Sequence, residues 1–416
     1  MKVTYFFLSG LAAALPIREA ATQPIGAVKG LSGEQLRSDF LLAALLAHQA
    51  HSFFLRAPEE HRDLVDEALY GLSLAQEYGS MKKVAGSIPS VALSPDGFLL
   101  AASSNVPVGH DAIGSVALWD LRAPVAASDP DRRRREDSLE LTKEYVYFKP
   151  SLAFSPDGKV LAAGGLLPAL EVWDLTSRGR PLTPFLEDRL AASVRSLGGY
   201  AAHIAFSQNG QKLAVTRRKC VLVFHLGDYL DAATGPTDFF RFEVALTGHE
   251  GNEEDVTFSP NGQQLAATGS DGIVRVWDLE QPKKPLLSIP VHGKVIFTLS
   301  GNELITGGLG SKINIWDLQQ NGSLRTALES QAEVNTIALS PDGSILAAGC
   351  DDGLIRLWNT QRLAKPPIVL RGNQRTVLSL AFSANGQKLA SGGDEGTVQV
   401  WQAPEVTVEQ ICEKVR

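Results

Sequence analysis

Two short sequences contain residues that could carry out catalysis, and neither completes its motif. His249-Glu250-Gly251 begins like the His-Glu-x-x-His pattern of zinc proteases but lacks the second histidine at the required spacing. His61-Arg62-Asp63-Leu64 is similar to a kinase catalytic loop, but Ala68 occupies the position of the later asparagine. The chain also contains neither a phosphate-binding Walker loop nor a Gly-x-Ser-x-Gly nucleophile elbow. The sequence therefore predicts a protein that is not an enzyme.

The residue types that could bind a metal are dispersed along the chain in the same way. The 8 histidines are scattered along the chain. The 3 cysteines, Cys220, Cys350 and Cys412, have neither a metal-binding spacing nor the pattern of a disulfide framework. We therefore expect no metal and no other cofactor. Few, unpaired cysteines favour a reducing compartment.

Length and composition limit the classes of fold and function that are possible. The chain has 416 residues, a net charge of −7, 44% hydrophobic and 20% charged residues, which is ordinary globular composition and excludes wholesale disorder. The mild acidity argues against a general nucleic-acid binder, because phosphate neutralisation needs clustered Lys and Arg. The arginine run 132–135 is balanced by four neighbouring acidic residues, which predicts a solvated, self-paired loop.

An internal repeat dominates the chain. Each copy has a serine-led turn sequence followed 16 to 18 residues later by an aromatic residue, except in the first copy, where the interval is 25. The turns start at Ser94, Ser155, Ser207, Ser259, Ser300 (a degenerate copy), Ser340 and Ser383. The aromatic residues are Trp119, Trp173, Phe224, Trp277, Trp316, Trp358 and Trp401, and they include all 6 tryptophans of the chain. Seven copies of one structural unit follow.

The fourth copy shows the physical content of a unit. Val256-Thr257-Phe258 predicts a strand that enters a Pro-Asn-Gly turn, in which Pro presets φ and Asn-Gly accepts positive φ. Residues 264–268 then leave the turn as a second strand. Ser270-Asp271-Gly272 predicts a tight turn, and the alternating residues 273–277 predict a third strand.

The repeat strongly resembles the WD-repeat family over residues 85–402. The resemblance implies an all-β, seven-bladed β-propeller in which each repeat supplies four strands. It assigns structural roles to the six tryptophans and implies a stabilising hydrogen-bond set on His249, Thr268 or Ser270, Asp271 and Trp277. The turn aspartate of that set is absent from the second and third copies, so we expect packing to hold those blades.

Ring closure requires a strand from outside the repeats, because an open ring would leave unpaired strand edges. Only 15 residues follow Trp401. Thr407-Val408-Glu409-Gln410 has a helix-capping pattern, which favours a helix rather than a strand in this tail. We therefore predict that residues 77–85 supply the outer strand of the seventh blade.

The predicted organisation has four parts. Residues 1–30 are an apolar leader, 31–76 a short α-helical hairpin, 77–402 the propeller and 403–416 a C-terminal tail. The apolar run 3–15 is too short to span a bilayer, which needs roughly 20 residues. Its length suits a signal peptide or anchor but also a buried N-terminal segment. We expect a cytoplasmic protein; export or membrane tethering through residues 3–15 is the alternative.

Most WD-repeat proteins bind peptides or proteins at one face and rim, so the resemblance implies a non-enzymatic interaction scaffold with no nucleic-acid partner. Such propellers contact partners where their first strands start, which here includes Lys149, Glu253, Lys294, Glu333 and Arg375. The acidic residues 253–255 make a basic peptide a candidate partner. The alternative is the sensor, or ligand-binding, part of a bacterial signal-transduction ATPase-type system whose effector domain is absent, since residues 41–54 are similar to the helical connector of those proteins.

Overall fold

The structure is a computed structural model. It describes the following residues, all within the compact unit Glu77–Glu405: 82–83, 86–108, 111–122, 138–141, 146–147, 151–165, 170–176, 180–181, 203–226, 240–308, 310–371, 375–386 and 388–402. The predicted leader, helical hairpin and C-terminal tail lie outside these residues. No described helix is long and apolar enough to cross a membrane.

The repeated turn builds itself from side-chain to backbone hydrogen bonds. In the first copy the Ser94 hydroxyl donates to Asp96 Oδ1 at 2.5 Å and accepts the Leu99 N–H at 2.8 Å. The N–H of Gly97 donates to the Ser94 carbonyl at 2.8 Å. Gly97 has φ of +71°, a conformation that side chains rarely adopt. The Ser-x-Asp/Asn-Gly sequence is therefore the local cause of the hairpin between first and second strands in six of the seven blades.

The strands form seven antiparallel sheets, which are the blades of a propeller. The first three strands of each blade follow one another along the chain, and the fourth strand of blade seven is β1, which precedes the first blade. Blades one and two contain β2 (Ser87–Leu93), β3 (Leu99–Val108), β4 (Asp111–Asp120), β5 (Ser138–Glu140) and β6 (Val146–Tyr147), then β7 (Ser151–Phe154), β8 (Val160–Gly164), β9 (Leu170–Asp174) and β10 (Arg180–Pro181).

Blades three and four share a long strand. Blade three contains β11 (Ile204–Phe206), β12 (Lys212–Leu226) and the first half of β13 (Phe240–Phe258), and blade four contains the second half of β13, β14 (Gln264–Gly269), β15 (Ile273–Asp278) and β16 (Leu287–Ile289). Strand β12 turns back on itself, since the N–H of Leu226 donates to the carbonyl of Gln211 at 2.7 Å. It therefore supplies both the second and the third strand of blade three.

Blades five to seven repeat the four-strand pattern. Their strands are β17 (Lys294–Phe297), β18 (Glu303–Gly307), β19 (Lys312–Asp317) and β20 (Ser323–Glu329); β21 (Val334–Leu339), β22 (Ile345–Cys350), β23 (Leu354–Asn359) and β24 (Ile368–Arg371); and β25 (Val377–Phe382), β26 (Lys388–Gly393), β27 (Thr397–Gln402) and β1 (Lys82–Lys83).

The ring closes as the sequence predicts. Strand β1 pairs antiparallel with β27, with Lys82 opposite Val398 and Lys83 opposite Thr397. The first strands β2, β7, β11, β13, β17, β21 and β25 contact one another in that cyclic order, so they surround the central channel. Side chains of blade seven also reach blade one, because Lys388 Nζ donates to the Gly97 carbonyl at 3.1 Å.

The hydrophobic core lies between successive blades rather than within one centre. One buried cluster joins blades two and three through Val172, Leu213, Leu222 and Phe224, and five similar clusters join other neighbouring blades. Full burial of such a side chain contributes about 2 kcal/mol. Packing at the junction of blades two and three agrees with the expectation for blades that lack the turn aspartate.

The structure corrects one position in the repeat. Thr298, not Ser300, occupies the place of the turn serine in blade five. Its N–H donates to the Glu303 carbonyl at 3.0 Å, and the Gly301 N–H donates to the Thr298 carbonyl at 2.9 Å. Ser300 takes the place of the turn Asp or Asn and contacts the Thr298 hydroxyl at 3.1 Å. The sequence analysis missed this alignment because it aligned the copies on a turn serine. In blade five a threonine hydroxyl replaces the serine hydroxyl.

Candidate functional site

The candidate site is the face of the propeller on which the first strands begin, called here the entry face. Since the strands of each blade alternate in direction, the turns between second and third strands lie on this same face. The serine-led turns lie on the opposite face. The entry face therefore gathers two segments from every blade.

A polar cluster of blade four lies at this face. Asp271 Oδ1 lies 3.0 Å from His249 Nδ1, and its Oδ2 accepts a 2.7 Å hydrogen bond from Arg275 Nη1. The carboxylate also accepts the N–H groups of Glu250 and Ile273. Burial raises the pKa of Asp271, but the hydrogen bonds from His249, Glu250 N–H and Arg275 outweigh it and lower that pKa. Asp271 thus fastens the middle of β13 to the turn between β14 and β15.

The histidine of this cluster is confined by its neighbours. Burial lowers the pKa of His249, against the opposing effect of Asp271. The ring also lies 5.7 Å from the Trp277 ring, centroid to centroid. A β-carbon at Gly269 would lie 2.5 Å from His249 Nδ1. Gly269 is therefore required for the approach of the imidazole.

The hydrogen-bond set implied by the family resemblance is only partly formed in blade four. Thr268 Oγ1, Trp277 Nε1 and His249 Nε2 are buried and have no hydrogen-bond partner among the described residues. The corresponding bond from tryptophan to the second strand exists in other blades. Trp316 Nε1 donates to Thr306 Oγ1 at 2.9 Å, and Trp401 Nε1 donates to Ser391 Oγ at 3.2 Å.

The tryptophans occupy the third strand of their blades. Five are buried and Trp316 is partly buried. The buried set is Trp119, Trp173, Trp277, Trp358 and Trp401. These positions place the indoles in the packing between blades and away from the solvent at the entry face.

Of the five residues predicted to bind a partner, the structure describes the side chains of Lys294, Glu333 and Arg375. Arg375 is exposed, and its Nε lies 3.1 Å from Glu395 Oε1 in blade seven. Glu333 is exposed at the start of blade six. The backbone of Glu253 pairs with Gly269, but its side chain lies outside the described residues, as does Lys149. Lys294 lies instead among polar residues between the first strands.

A ring of polar residues surrounds the channel near the entry face. In every blade the residue four positions before the turn serine, or before Thr298, is polar. The ring consists of Ser90, Ser151, His203, Asp255, Lys294, Thr336 and Ser379. Its side chains can accept backbone N–H groups of the next blade, as Ser90 Oγ does from Leu152 at 2.9 Å and Ser151 Oγ does from Ile204 at 3.2 Å. Ser90 and Ser151 therefore satisfy backbone donors of the first strands next to them.

Blades three, four and five replace the hydroxyls of the ring with ionisable groups. His203 Nδ1 lies 3.6 Å from Asp255 Oδ1, and Lys294 Nζ lies 3.4 Å from His203 Nε2 and 3.9 Å from Asp255 Oδ1. Asp255 Oδ2 accepts the Val295 N–H at 3.0 Å. The side chains of His203, Asp255 and Lys294 are 19%, 17% and 28% exposed. We call these three residues the channel trio.

Burial shifts the pKa of two members of the channel trio, His203 and Asp255. It lowers the pKa of His203 far below the usual value, and the Lys294 ammonium lowers it further. Burial also raises the pKa of Asp255, against the opposing effects of Lys294 and the Val295 N–H. The sequence analysis assigned Asp255 to an acidic rim; the structure corrects this assignment, because the carboxylate is engaged by blade five.

The sequence contained a signal for the channel trio. The signal is the position four residues before the first turn residue, which is polar in all seven copies of the repeat. The run of Val, Ala, Leu and Phe in the first strands obscured it. Among the described residues, no group of three His, Cys, Asp or Glu side chains could hold a metal ion.

Comparison with known proteins identifies the repeats. The family description "WD domain, G-beta repeat" matches residues 241–278, 322–359 and 364–402. Each match starts at the fourth strand of one blade and ends with the third strand of the next. The chain thus contains WD40 repeats that are offset from its blades, and this offset is why β1 has to complete blade seven.

Relatives among characterised proteins match parts of the chain. Small ribosomal subunit protein RACK1z of Arabidopsis thaliana is 25% identical over 142 residues, which are 29% of this chain and 43% of that protein. Protein HIR1 of Gibberella zeae is 30% identical over 146 residues, 33% of this chain and 14% of that protein. Guanine nucleotide-binding protein subunit beta of Solanum tuberosum is 25% identical over 213 residues, 50% of this chain and 43% of that protein. The matches span less than half the length of each relative.

Proposed function

We propose that this WD40-repeat chain is a non-enzymatic scaffold that binds a protein or peptide partner on its entry face. The observation that carries the proposal is the convergence of two segments per blade on one face, which a closed ring holds in fixed positions. Loops on a rigid scaffold are the usual place of binding residues. One relative is named as a protein of the small ribosomal subunit and another as a subunit of a guanine nucleotide-binding protein, which supports a role within assemblies.

The contact residues of this proposal are those at the starts of the first strands. Arg375 and Glu333 present charges at blades seven and six, next to exposed Asp351 and Asp352. We include Lys149 and Glu253 from the sequence pattern. Lys294 belongs to the channel trio, so we assign it a contact role only for a partner that reaches the channel.

A cytoplasmic location is part of the proposal. Cys220 and Cys350 are buried and form no disulfide, which suits a reducing compartment. The alternative role as the sensor part of a bacterial signal-transduction system has no support from these relatives, which come from plants and fungi. No nucleic-acid partner is proposed, given the net charge of −7.

Affinity capture followed by binding with purified components tests the proposal. Proteins captured from native lysate by the intact chain are identified, produced separately and titrated against it by calorimetry. The test variant is Glu253→Ala/Glu333→Ala/Arg375→Ala on the entry face. The control is Glu280→Ala/Lys283→Ala/Lys284→Ala, which alters exposed charges after the third strand of blade four, on the opposite face.

We expect the entry-face variant to weaken binding of the purified partner by at least roughly tenfold, since truncating several contact residues commonly removes more than 1.4 kcal/mol. The control should bind as the unchanged chain does. Equal binding by both variants would place the interaction elsewhere. The absence of any saturable protein partner would overturn the scaffold function.

A further inference from the structure

The channel trio differs in residue type from the other four ring positions. Four of seven blades have Ser or Thr at this ring position, and a hydroxyl suffices to accept the N–H of the next blade. Three consecutive blades instead place a histidine, a carboxylate and an ammonium there. Their mutual contacts of 3.4–3.9 Å join blades three, four and five through side chains alone. This junction is independent of the entry-face contacts proposed above.

The geometry assigns the proton of His203. Lys294 can only donate, so its contact of 3.4 Å with His203 Nε2 is favourable when that nitrogen has no proton. The imidazole proton then lies on Nδ1, which faces Asp255. The backbone N–H of His203 donates to Thr216 Oγ1 at 2.7 Å and holds the residue in place. The junction thus requires a neutral imidazole between a carboxylate and an ammonium.

We propose that the channel trio is a pH-sensitive joint between blades three, four and five, which is intact while His203 is neutral and loosens when the imidazole takes up a proton. Protonation removes the acceptor for Lys294 and places two cations 3.4 Å apart. Among the described residues, Asp255 from β13 and Lys294 from β17 are the charged groups within ion-pair distance of the ring. On the neighbouring strands, the Thr216 hydroxyl of β12 accepts the His203 backbone N–H, and the Ser151 hydroxyl of β7 accepts the N–H of Ile204.

The direction of the effect follows from proton linkage. Because burial and Lys294 lower the pKa of His203, the unfolded chain binds this proton at a higher pH than the folded chain. The stability from His203 is therefore complete above the ordinary histidine pKa of about 6.5 and declines as pH falls below it. The raised pKa of Asp255 acts in the opposite direction, at the lower pH where carboxylates titrate.

A comparison of variants isolates the histidine. His203→Gln keeps an amide oxygen for Lys294 and an amide N–H for Asp255 but does not titrate. His203→Ser introduces the residue that three other blades have in the ring. The control is His225→Gln, which removes an exposed histidine of β12 in the same blade. Melting temperatures of the full chain are measured from pH 7.5 to pH 5.0.

We expect the melting temperature of the unchanged chain to fall by about 2 °C or more beyond that of His203→Gln over this range, because only the unchanged chain has an imidazole that takes up a proton more readily when unfolded. The His225→Gln control should follow the unchanged chain. Nuclear magnetic resonance of histidine-labelled protein should show the His203 ring neutral at pH 5.5, its signal identified by its loss in either variant. Parallel melting profiles, or a His203 ring that titrates at about 6.5 or above, would overturn the proposal.

Discussion

The cluster around Asp271 supports a quantitative prediction, because its carboxylate contacts the side chains of His249 and Arg275 and accepts two backbone N–H groups. Asp271→Ala removes all four acceptor contacts and leaves the Arg275 guanidinium without its counter-ion. Both side chains are 11% exposed, so little water can replace the carboxylate. Removal of one partner from a buried ion pair costs 3–5 kcal/mol, and the residual exposure favours the lower end, about 3 kcal/mol.

Urea denaturation followed by tryptophan fluorescence measures this loss. With a denaturant slope of about 3 kcal/mol per M, the midpoint should fall by about 1 M. The control is Glu329→Ala, which removes a 3.4 Å ion pair with Lys312 whose side chains are 61% and 62% exposed. Its midpoint should stay nearly unchanged, because such surface pairs contribute about 0–1 kcal/mol.

A second variant separates charge from packing. In Asp271→Ala/Arg275→Met the buried cation is removed along with its partner, so most of the lost stability should return. The deficit of Asp271→Ala should also shrink below about pH 4, because a carboxylate with a lowered pKa loses its stabilising effect as pH falls. A midpoint no lower than that of Glu329→Ala, or no recovery in the double variant, would refute the assignment of Asp271 as the fastener of blade four.

Three further predictions concern single positions. Gly269→Ala should lower the free energy of unfolding by about 2 kcal/mol, because the added β-carbon would displace the His249 imidazole. Gly272→Ala, with φ of +71° and open space around it, should lower it by only about 1 kcal/mol. Equal losses in urea titrations would contradict the close approach of the imidazole to Gly269. Thr306→Val removes the acceptor of the blade-five indole N–H and should cost about 1 kcal/mol by the same measurement, and an unchanged midpoint would show that this bond is not formed. Lys82→Pro/Lys83→Pro prevents the pairing of β1 and should lower the melting temperature in calorimetry, while the double alanine variant should not; equal melting of the two would argue against closure by this strand.

The fold was predictable from sequence because its information is local and repeated. The turn from Ser94 to Gly97 forms from hydrogen bonds between residues at most five apart, and the same bonds recur at most copies. The alignment failed only in blade five, where Thr298 replaces the serine. The closing strand could also be deduced. The repeat pattern leaves blade seven without a fourth strand, and the segment before the first repeat was predicted to supply it.

The functional residues were harder to predict because they combine distant segments. Arg275 was missed because an arginine in a third strand gives no sign that its guanidinium will reach Asp271. The channel trio was missed because its members are 39 to 91 residues apart and serve the same register position in different blades. The predicted contact residues Lys149 and Glu253 remain predictions.

The sequence by itself determined the number of blades, the position of the turn in six of the seven blades and the segment that closes the ring, because strand periodicity and turn chemistry depend on neighbours along the chain. Only the tertiary structure decided that Lys294 lies beside His203 and Asp255, and that Thr298 is the turn residue of blade five. The reason is that ring closure brings the side chains of neighbouring blades together. The distances between these side chains, and hence their charges, depend on how the sheets pack. The repeat pattern does not encode that packing.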